Sequence, residues 1–382
     1  MFYCQVSATG IILACAIQAN PGSLAARVRF AFKFPCNIIG WSRIPNDLGW
    51  RSAVSRQLSV HLTTMIKPAK IGTLLLVSIL SLSLNGQIAS GQKERDGSGR
   101  SRGAAKPVTV PVTIRVRESK REVEMRIVDY LLREDGEMQT ILSVRGPAEN
   151  PISLAILIQD DLVPSIASET RGIANFVRHL PVGSRVLIGY IRSGSLEVRR
   201  KFTVDLEKAA TSVRVPLGTA SAGPFNPFVE IIEALRRFDS QPLGRRAIIV
   251  VSDGLDVSRG LDSASPGQSL DLQRAITEAQ RRSVAIYSIY APAAAAISNL
   301  LLSANGQGCL ERLSTETGGQ AFFQGTGAPV SFDPFIKQID ESLGRQIALT
   351  YLSTHTTKGF HRLDIKPLDR DVEIRHPAGY TR

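Results

Sequence analysis

Two nearly continuous apolar runs limit the fold of this chain more than any other feature. Residues 152–158 read ISLAILI and residues 247–251 read AIIVV. Apolar runs of this length, without polar alternation, are typical of central parallel strands that helices cover on both faces. The two runs therefore predict the centre of a parallel sheet.

Strand and helix patterns alternate around these two runs. Helices are predicted over 166–180, 228–238, 270–282, 310–317 and 334–343, and further strands over 185–191, 196–204 and 284–290. The strand at 196–204 is expected to return antiparallel through a turn at Ser193-Gly194-Ser195, and 291–308 is expected to be an inserted loop or a short helix. This order predicts a doubly wound, mostly parallel, Rossmann-like α/β domain over 151–345 with right-handed crossovers.

Short strands are predicted on both sides of this domain. Residues 108–117 (VTVPVTIRVR) alternate β-branched and polar positions, and two further short runs flank Glu134-Asp135-Gly136. These observations predict a small N-terminal β-rich module over 108–150. Residues 346–382 contain three more short strands, which we expect to close or extend the parallel sheet.

The segment 65–91 has the composition of a secretory signal peptide. Lys67 and Lys70 precede an apolar stretch of about 14 residues, and small residues follow it. A retained transmembrane helix is the alternative, but the stretch is shorter than the roughly 20 residues that a bilayer requires. We expect cleavage, no membrane span afterwards, and export to the periplasm, the cell envelope or the medium. Residues 92–107 are polar and rich in Gly and Ser, which predicts a disordered linker.

A signal peptide acts at an N-terminus, yet 64 residues precede Met65. Residues 1–64 show no sustained helix or strand period. We interpret them as a mis-assigned upstream extension, with translation starting at Met65. A genuine disordered leader is the alternative.

The positive charge of the chain lies largely in these N-terminal segments. Residues 1–64 contribute +5 and Lys67 with Lys70 contribute +2 of the formal net charge of +12, which leaves +5 for the rest. No basic stripe interleaved with aromatic residues is present there, so nucleic-acid binding is not expected. Cys309 is the only cysteine after residue 64, which excludes an internal disulfide in that part. We expect Cys309 to be a buried apolar side chain at the start of a helix.

Acidic residues follow both apolar runs. Asp160 and Asp161 come after the first run, and Asp253 and Asp256 come after the second. Because the carboxyl ends of parallel strands meet at one edge of a sheet, Asp160 and Asp253 are expected at the same edge. The pair Asp253-Gly254 is also typical of a turn, and we expect a positive φ at Gly254.

These features together resemble a known family. With DYLLREDGEMQTI, LERLSTETGGQAFF and GFHRLDIKPLDRDVEIRHPAGY in the same order, the chain resembles, over about 108–380, the von Willebrand factor A-related domain of exported acidobacterial proteins. The resemblance implies a von Willebrand factor A-like fold. It also implies a metal-ion-dependent adhesion site, in which Mg²⁺ is held by an Asp-x-Ser-x-Ser motif, a later Thr and a further Asp.

The metal motif implied by the resemblance is incomplete. Asp160 and Asp253 match its two aspartates, but Leu162 and Pro164 replace the two serines, and Phe225 or Asn226 stands where Thr is expected. Asp161 and Ser165 are further oxygen donors, though not at the spacing of the family. We therefore expect a degenerate site and no cofactor, with weak Mg²⁺ binding as the alternative.

Other roles for the two aspartates remain open. Each carboxylate could instead cap a loop or the N-terminus of the following helix. We also expect Asp160→Asn to be neutral or slightly stabilising, because two neighbouring carboxylates would repel each other.

The sequence contains none of the usual catalytic constellations, so we expect no enzyme activity. We expect instead a module that binds a protein or peptide through the loops 160–165, 221–226 and 253–263. Its expected contact residues are Asp161, Ser165, Asn226 and Asp256. The alternative is a structural envelope protein without a discrete ligand site.

Overall fold

A computed structural model describes residues 13–18, 27–32, 105–116, 130–192, 194–218, 226–260, 264–293 and 299–382. The chain divides into two compact units, Met1–Ser90 and Gly91–Arg382. In the first unit, β1 (Leu13–Gln18) and β2 (Arg27–Phe32) form an antiparallel pair with Leu13 opposite Phe32. The predicted signal peptide at 65–91 and nearly all of the predicted linker lie outside the described residues.

The second unit contains the predicted α/β domain. Its sheet has the strand order β12-β11-β10-β7-β8-β9. All neighbours are parallel except β8 and β9. The strands are β7 (Ser153–Gln159), β8 (Arg185–Arg192), β9 (Ser195–Thr203), β10 (Arg246–Ser252), β11 (Ala285–Tyr290) and β12 (Ala321–Phe322). Every residue of β7 and β10 is buried, as the apolar runs predicted. The doubly wound, mostly parallel fold is confirmed.

Helices cover both faces of this sheet. They are α1 (Thr170–Arg178), α2 (Leu206–Ala210), α3 (Pro227–Arg236), α4 (Leu270–Arg282), α5 (Leu300–Thr317) and α6 (Asp333–Gly344). Alternate side chains of β7 point to opposite cores. Leu154 and Ile156 pack with α1, α2 and α6, whereas Ala155 and Leu157 pack with α3, α4 and α5.

Helix α5 differs most from its predicted bounds. It begins ten residues earlier than expected, because Asn299 caps it by accepting a hydrogen bond from the Leu302 N–H (3.1 Å). Part of the segment 291–308, predicted as an inserted loop or a short helix, is therefore helix, and Cys309 lies in the middle of α5 rather than at its start. Its side chain is buried, as expected. Gly306 and Gly308 lower the helix propensity of this segment, which hid its first half from the sequence pattern.

The remaining strands form two four-stranded sheets with the orders β15-β3-β13-β6 and β16-β14-β4-β5. These strands are β3 (Lys106–Val116), β4 (Tyr130–Glu134), β5 (Glu137–Met138), β6 (Thr140–Arg145), β13 (Gln346–Ser353), β14 (Phe360–Pro367), β15 (Val372–Arg375) and β16 (Gly379–Thr381). Side chains from both sheets share one apolar core, so the two sheets form a β-sandwich.

The sandwich corrects one prediction. The strands after residue 345 do not close or extend the parallel sheet, because β13 lies between β3 and β6, with Leu349 opposite Val110 and Val144. Ile347, Leu349 and Tyr351 alternate with residues of the other face, which is typical of a strand with one face on a sandwich core. The segments 108–150 and 346–382 thus fold together.

The sandwich contacts the α/β domain through specific polar groups. Thr113 and Tyr287 hydroxyls lie 3.1 Å apart, and the buried Arg245 guanidinium donates to the carbonyl of Asn150 (3.1 Å). Among the described residues, no helix has the length and apolarity to cross a membrane.

Candidate binding site at the carboxyl edge of the sheet

The ends of β7 and β10 meet at the edge that the sequence predicted. Gln159, the last residue of β7, joins them: its Oε1 accepts from the Ser252 hydroxyl (2.6 Å) and the Asp253 N–H (3.0 Å), while its Nε2 donates to Asp161 Oδ1 (2.8 Å). The predicted juxtaposition of the loops that carry Asp160, Asp161 and Asp253 is therefore present. The amide that links them was not predicted.

Asp160 is held by two arginines. The Arg214 guanidinium binds it in a bidentate manner, with Nη1···Oδ1 at 2.6 Å and Nη2···Oδ2 at 3.0 Å. Arg192 Nε lies 3.3 Å from Oδ2, and the Leu217 N–H donates to Oδ1 (2.9 Å). Burial alone would raise the pKa of Asp160, but these partners hold it below its usual value.

Tyr190 fixes Arg214 in this position. The Arg214 N–H donates to the Tyr190 hydroxyl (2.6 Å), which donates to the Arg214 carbonyl (2.7 Å). The guanidinium carbon lies 3.8 Å from the centre of the Tyr190 ring, a cation–π geometry. Sequence reasoning missed Arg214 because it lies 54 residues after Asp160, and no local pattern marks such a pair.

Asp253 has a different environment. Its Oδ1 accepts from the Leu255 N–H (3.0 Å), so it caps its own turn. Burial and the nearby Asp161 charge raise its pKa to about 7, although the hydrogen bond from Leu255 acts in the opposite direction. Gly254 has φ +68°, which confirms the expected positive φ.

Two expected contact residues are partly or fully accessible. Asp161 is half-buried, and burial raises its pKa. Ser165 is exposed on a 3-10 turn, Pro164–Glu169, which precedes α1. Both lie in the loop that follows β7, so their position agrees with the sequence analysis.

The other two expected contact residues are buried, which corrects their assignment. Asn226 caps α3 by accepting from the Phe228 N–H (3.1 Å) and donates to Asp271 Oδ2 (2.8 Å). Asp256 accepts from the hydroxyls of Ser258 (2.5 Å) and Ser269 (3.0 Å). Since Asn226 and Asp256 are 8% and 2% exposed, they shape the loops and do not face a partner. Most of the predicted contact loop 221–226, and residues 261–263, lie outside the described residues.

The residues that the structure describes at this edge do not fit a divalent cation. The two oxygens of Asp160 accept three N–H hydrogen bonds, two from Arg214 and one from Leu217, and form an ion pair with Arg192, so little lone-pair capacity remains for a cation. Leu162, at the position of the first missing serine, is a buried apolar residue. Within the described ranges, no group of three or more His, Cys, Asp or Glu residues has a geometry suited to a metal ion.

Apolar side chains are exposed around the same edge. Some of them lie on α5 and in the loop before α6, which follow β11 and β12, and the others lie in the segment after α2 that is hydrogen-bonded to Asp160. Five of these side chains are at least half exposed: Val215, Leu217, Leu300, Leu301 and Val330. An edge that combines satisfied polar groups with exposed apolar ones is suited to contact with another apolar surface.

A second group of titratable side chains lies in the sandwich, away from this edge. His361 Nδ1 lies 2.8 Å from Asp135 Oδ2, and its Nε2 lies 2.9 Å from the Thr357 carbonyl. The rings of His355 and His361 are 5.6 Å apart. Burial alone would lower the pKa of His361, but the hydrogen bonds to Asp135 and Thr357 raise it above its usual value. These side chains tie the turn after β13 to β4.

No family model matches this chain, and no curated protein matches it. Solved structures do resemble it. The protein BatB from Bacteroides thetaiotaomicron is 16% identical, with 50% of this chain and 97% of that chain covered and a TM-score of 0.37. The SpRpn10 VWA domain is 14% identical (51% and 98% covered, TM-score 0.35). A von Willebrand factor type A protein from Catenulispora acidiphila is 11% identical (73% and 75% covered, TM-score 0.36).

Proposed function

We propose that the unit Gly91–Arg382 is a non-catalytic protein-binding module of an exported protein, and that its carboxyl-edge loops contact a protein or peptide partner. The observation that carries this proposal is the exposure of apolar side chains around an edge whose acidic residues are already paired. An apolar surface of this kind gains free energy, about 25 cal/mol per Å² of apolar area removed from water, when a partner covers it. The loop that carries Asp161 would lie at the rim of the contact.

The chemistry of the edge supports a role in binding rather than in catalysis. A general base needs a free lone pair within reach of a substrate proton. Asp160 accepts hydrogen bonds from Arg214 and Leu217 and forms an ion pair with Arg192. Asp253 is buried and caps its own turn. We therefore propose no cofactor and no catalytic residue at this edge.

Affinity capture from native envelope extract tests this proposal. Leu217→Asp and Leu300→Asp place a charge at the carboxyl edge. Val182→Asp is the matched control, because Val182 is 96% exposed and lies just before β8, at the opposite edge. We expect wild type and Val182→Asp to retain one partner that both edge variants lose.

Two outcomes would contradict the proposal. One is a partner that all variants retain equally. The other is capture of no partner, together with a hydrolase activity that Asp253→Ala abolishes.

A structural envelope protein is the second candidate function. The observation in its favour is that the sandwich also exposes apolar side chains, with Leu131 on β4, Met138 on β5 and Phe360 on β14. Solubility and ordinary stability of the Gly91–Arg382 unit without any partner would count against this role.

A further inference from the structure

Arg214 occupies the place where the family resemblance implies a divalent cation. Its guanidinium contacts both oxygens of Asp160, the residue that matches the first metal-binding aspartate. The side chain of Asp160 is 7% exposed and that of Arg214 is 22% exposed, so the pair is largely shielded from solvent. A guanidinium fork matches the two oxygens of a carboxylate, and such pairs are among the stronger hydrogen bonds.

The arginine is positioned by groups other than the carboxylate. Tyr190 holds the Arg214 backbone through two hydrogen bonds and places its ring beneath the guanidinium. Glu197 on β9 accepts from Arg214 Nη2 at 3.3 Å. A side chain fixed from three directions is preorganised, so little conformational entropy remains to be lost when it pairs with Asp160.

The same contact fastens a loop to the sheet. The Leu217 N–H donates to Asp160 Oδ1, and the Gly218 N–H donates to the Asp160 carbonyl (2.9 Å). The segment that carries Arg214 also carries two exposed apolar residues, Val215 and Leu217. The position of these two side chains thus depends on the ion pair.

We infer that Arg214 is a built-in replacement for the divalent cation: it supplies the positive charge at the carboxyl edge and fixes the segment 213–218 there. The edge therefore keeps its geometry without divalent ions. Removal of the guanidinium frees the two oxygens of Asp160 from their bidentate partner, next to the Asp161 carboxylate. Carboxylate oxygens are the ligands that Mg²⁺ and Mn²⁺ prefer. This inference holds whether or not the edge binds a protein.

Mn²⁺ binding, measured by the loss of the electron paramagnetic resonance signal of free Mn²⁺, tests the inference. Wild type is expected to leave the Mn²⁺ signal unchanged. Arg214→Ala should bind one Mn²⁺, with an affinity at least about tenfold above any residual binding by wild type. The double variant Arg214→Ala with Asp160→Asn should lose that binding.

Arg199→Ala is the matched control, because Arg199 lies nearby and its ion pair is with Glu197 (3.4 Å). It removes the same charge and should not create a Mn²⁺ site. Arg214→Met keeps the apolar stem over Tyr190 and serves as the second variant if the alanine variant does not fold.

Three outcomes would overturn the inference. The first is tight Mn²⁺ binding by wild type. The second is no binding by a folded Arg214→Ala or Arg214→Met protein. The third is equal binding by Arg199→Ala. In a parallel experiment, Mg²⁺ should raise the Tm of Arg214→Met and leave that of wild type nearly unchanged. A Tm that Mg²⁺ raises for wild type but not for Arg214→Met would also overturn the inference.

Discussion

Gly254 lies where the loop after β10 touches helix α5, and replacing it with alanine should destabilise the protein in two ways. Its φ of +68° lies in the left-handed region that residues with a Cβ avoid. A Cβ built on Gly254 would also lie 2.5 Å from the Gly306 carbonyl oxygen and 2.6 Å from Leu310 Cγ. Both distances are shorter than real Cβ contacts, so the helix or the loop would have to move.

The two effects can be estimated separately. The left-handed conformation costs a residue with a Cβ roughly 1–2 kcal/mol. Forcing an extra carbon into a packed site costs about 1–3 kcal/mol. The free energy of unfolding should therefore fall by about 2–5 kcal/mol. Alanine also lowers the conformational entropy of the unfolded chain, which reduces this loss by a few tenths of a kcal/mol. In a domain of this size the Tm should fall by roughly 5–15 °C.

Thermal unfolding followed by circular dichroism measures this loss. Gly325→Ala is the matched control, because Gly325 has φ +61° and no other atom lies within 4 Å of the position that a Cβ would take there. Gly325→Ala should lose only the free energy that the left-handed backbone conformation costs a residue with a Cβ. An equal loss at both positions would refute the close approach of α5, and an unchanged Tm for Gly254→Ala would refute the left-handed conformation itself.

Three further predictions concern the edge and the sandwich. Asp160→Asn should lower the free energy of unfolding by about 1–2 kcal/mol in denaturant titrations at pH 7, because it leaves Arg214 without its carboxylate. Since the pKa of Asp160 is depressed below 3.8, its stabilisation is present above that pH and lost in acid, so the variant should also lose stability less steeply below pH 4 than wild type. Asp253→Asn should raise the Tm at pH 8 and change it little near pH 4, because a pKa raised from 3.8 to about 7 destabilises the fold progressively as pH rises through that window. Deletion of residues 346–382 removes β13 from between β3 and β6, and rapid limited proteolysis of the remaining 108–150 segment is expected.

The prediction for Asp160→Asn reverses the one made from the sequence. Repulsion between Asp160 and Asp253 was expected to make the substitution neutral or slightly stabilising. The structure instead shows Asp160 between two arginines. Neither Arg192 nor Arg214 is marked by spacing, and their approach depends on the β8–β9 hairpin and the segment that follows α2. Tertiary pairings of this kind are not visible in local sequence patterns.

The parallel sheet was predictable because its signal is local. An uninterrupted apolar run such as 152–158 can be buried on both faces only if it lies at the centre of a sheet. The shared edge of Asp160 and Asp253 follows from strand direction alone, and the positive φ of Gly254 follows from its residue type.

Features that depend on which distant part of the chain a residue packs against were not predictable. The residues 346–353 form a strand that is buried over most of its length, and their sequence does not specify whether the neighbour is β3 or the parallel sheet. Asn226 and Asp256 stand among polar loop residues and resemble exposed contact residues in the sequence. Both are buried in the structure, where they hydrogen-bond to Asp271 and Ser269 at the start of α4.

Site-specific photo-cross-linking in the native envelope tests the central claim most directly. A photoreactive residue is placed at Leu217 or Leu300 on the carboxyl edge, and at Val182 on the opposite edge, in parallel samples that contain EDTA or Mg²⁺. We predict that Leu217 and Leu300 yield an adduct with the same partner protein and that Val182 yields none. Adducts from Val182 alone, equal adducts from both edges, or adducts that form only when Mg²⁺ replaces EDTA would contradict the claim.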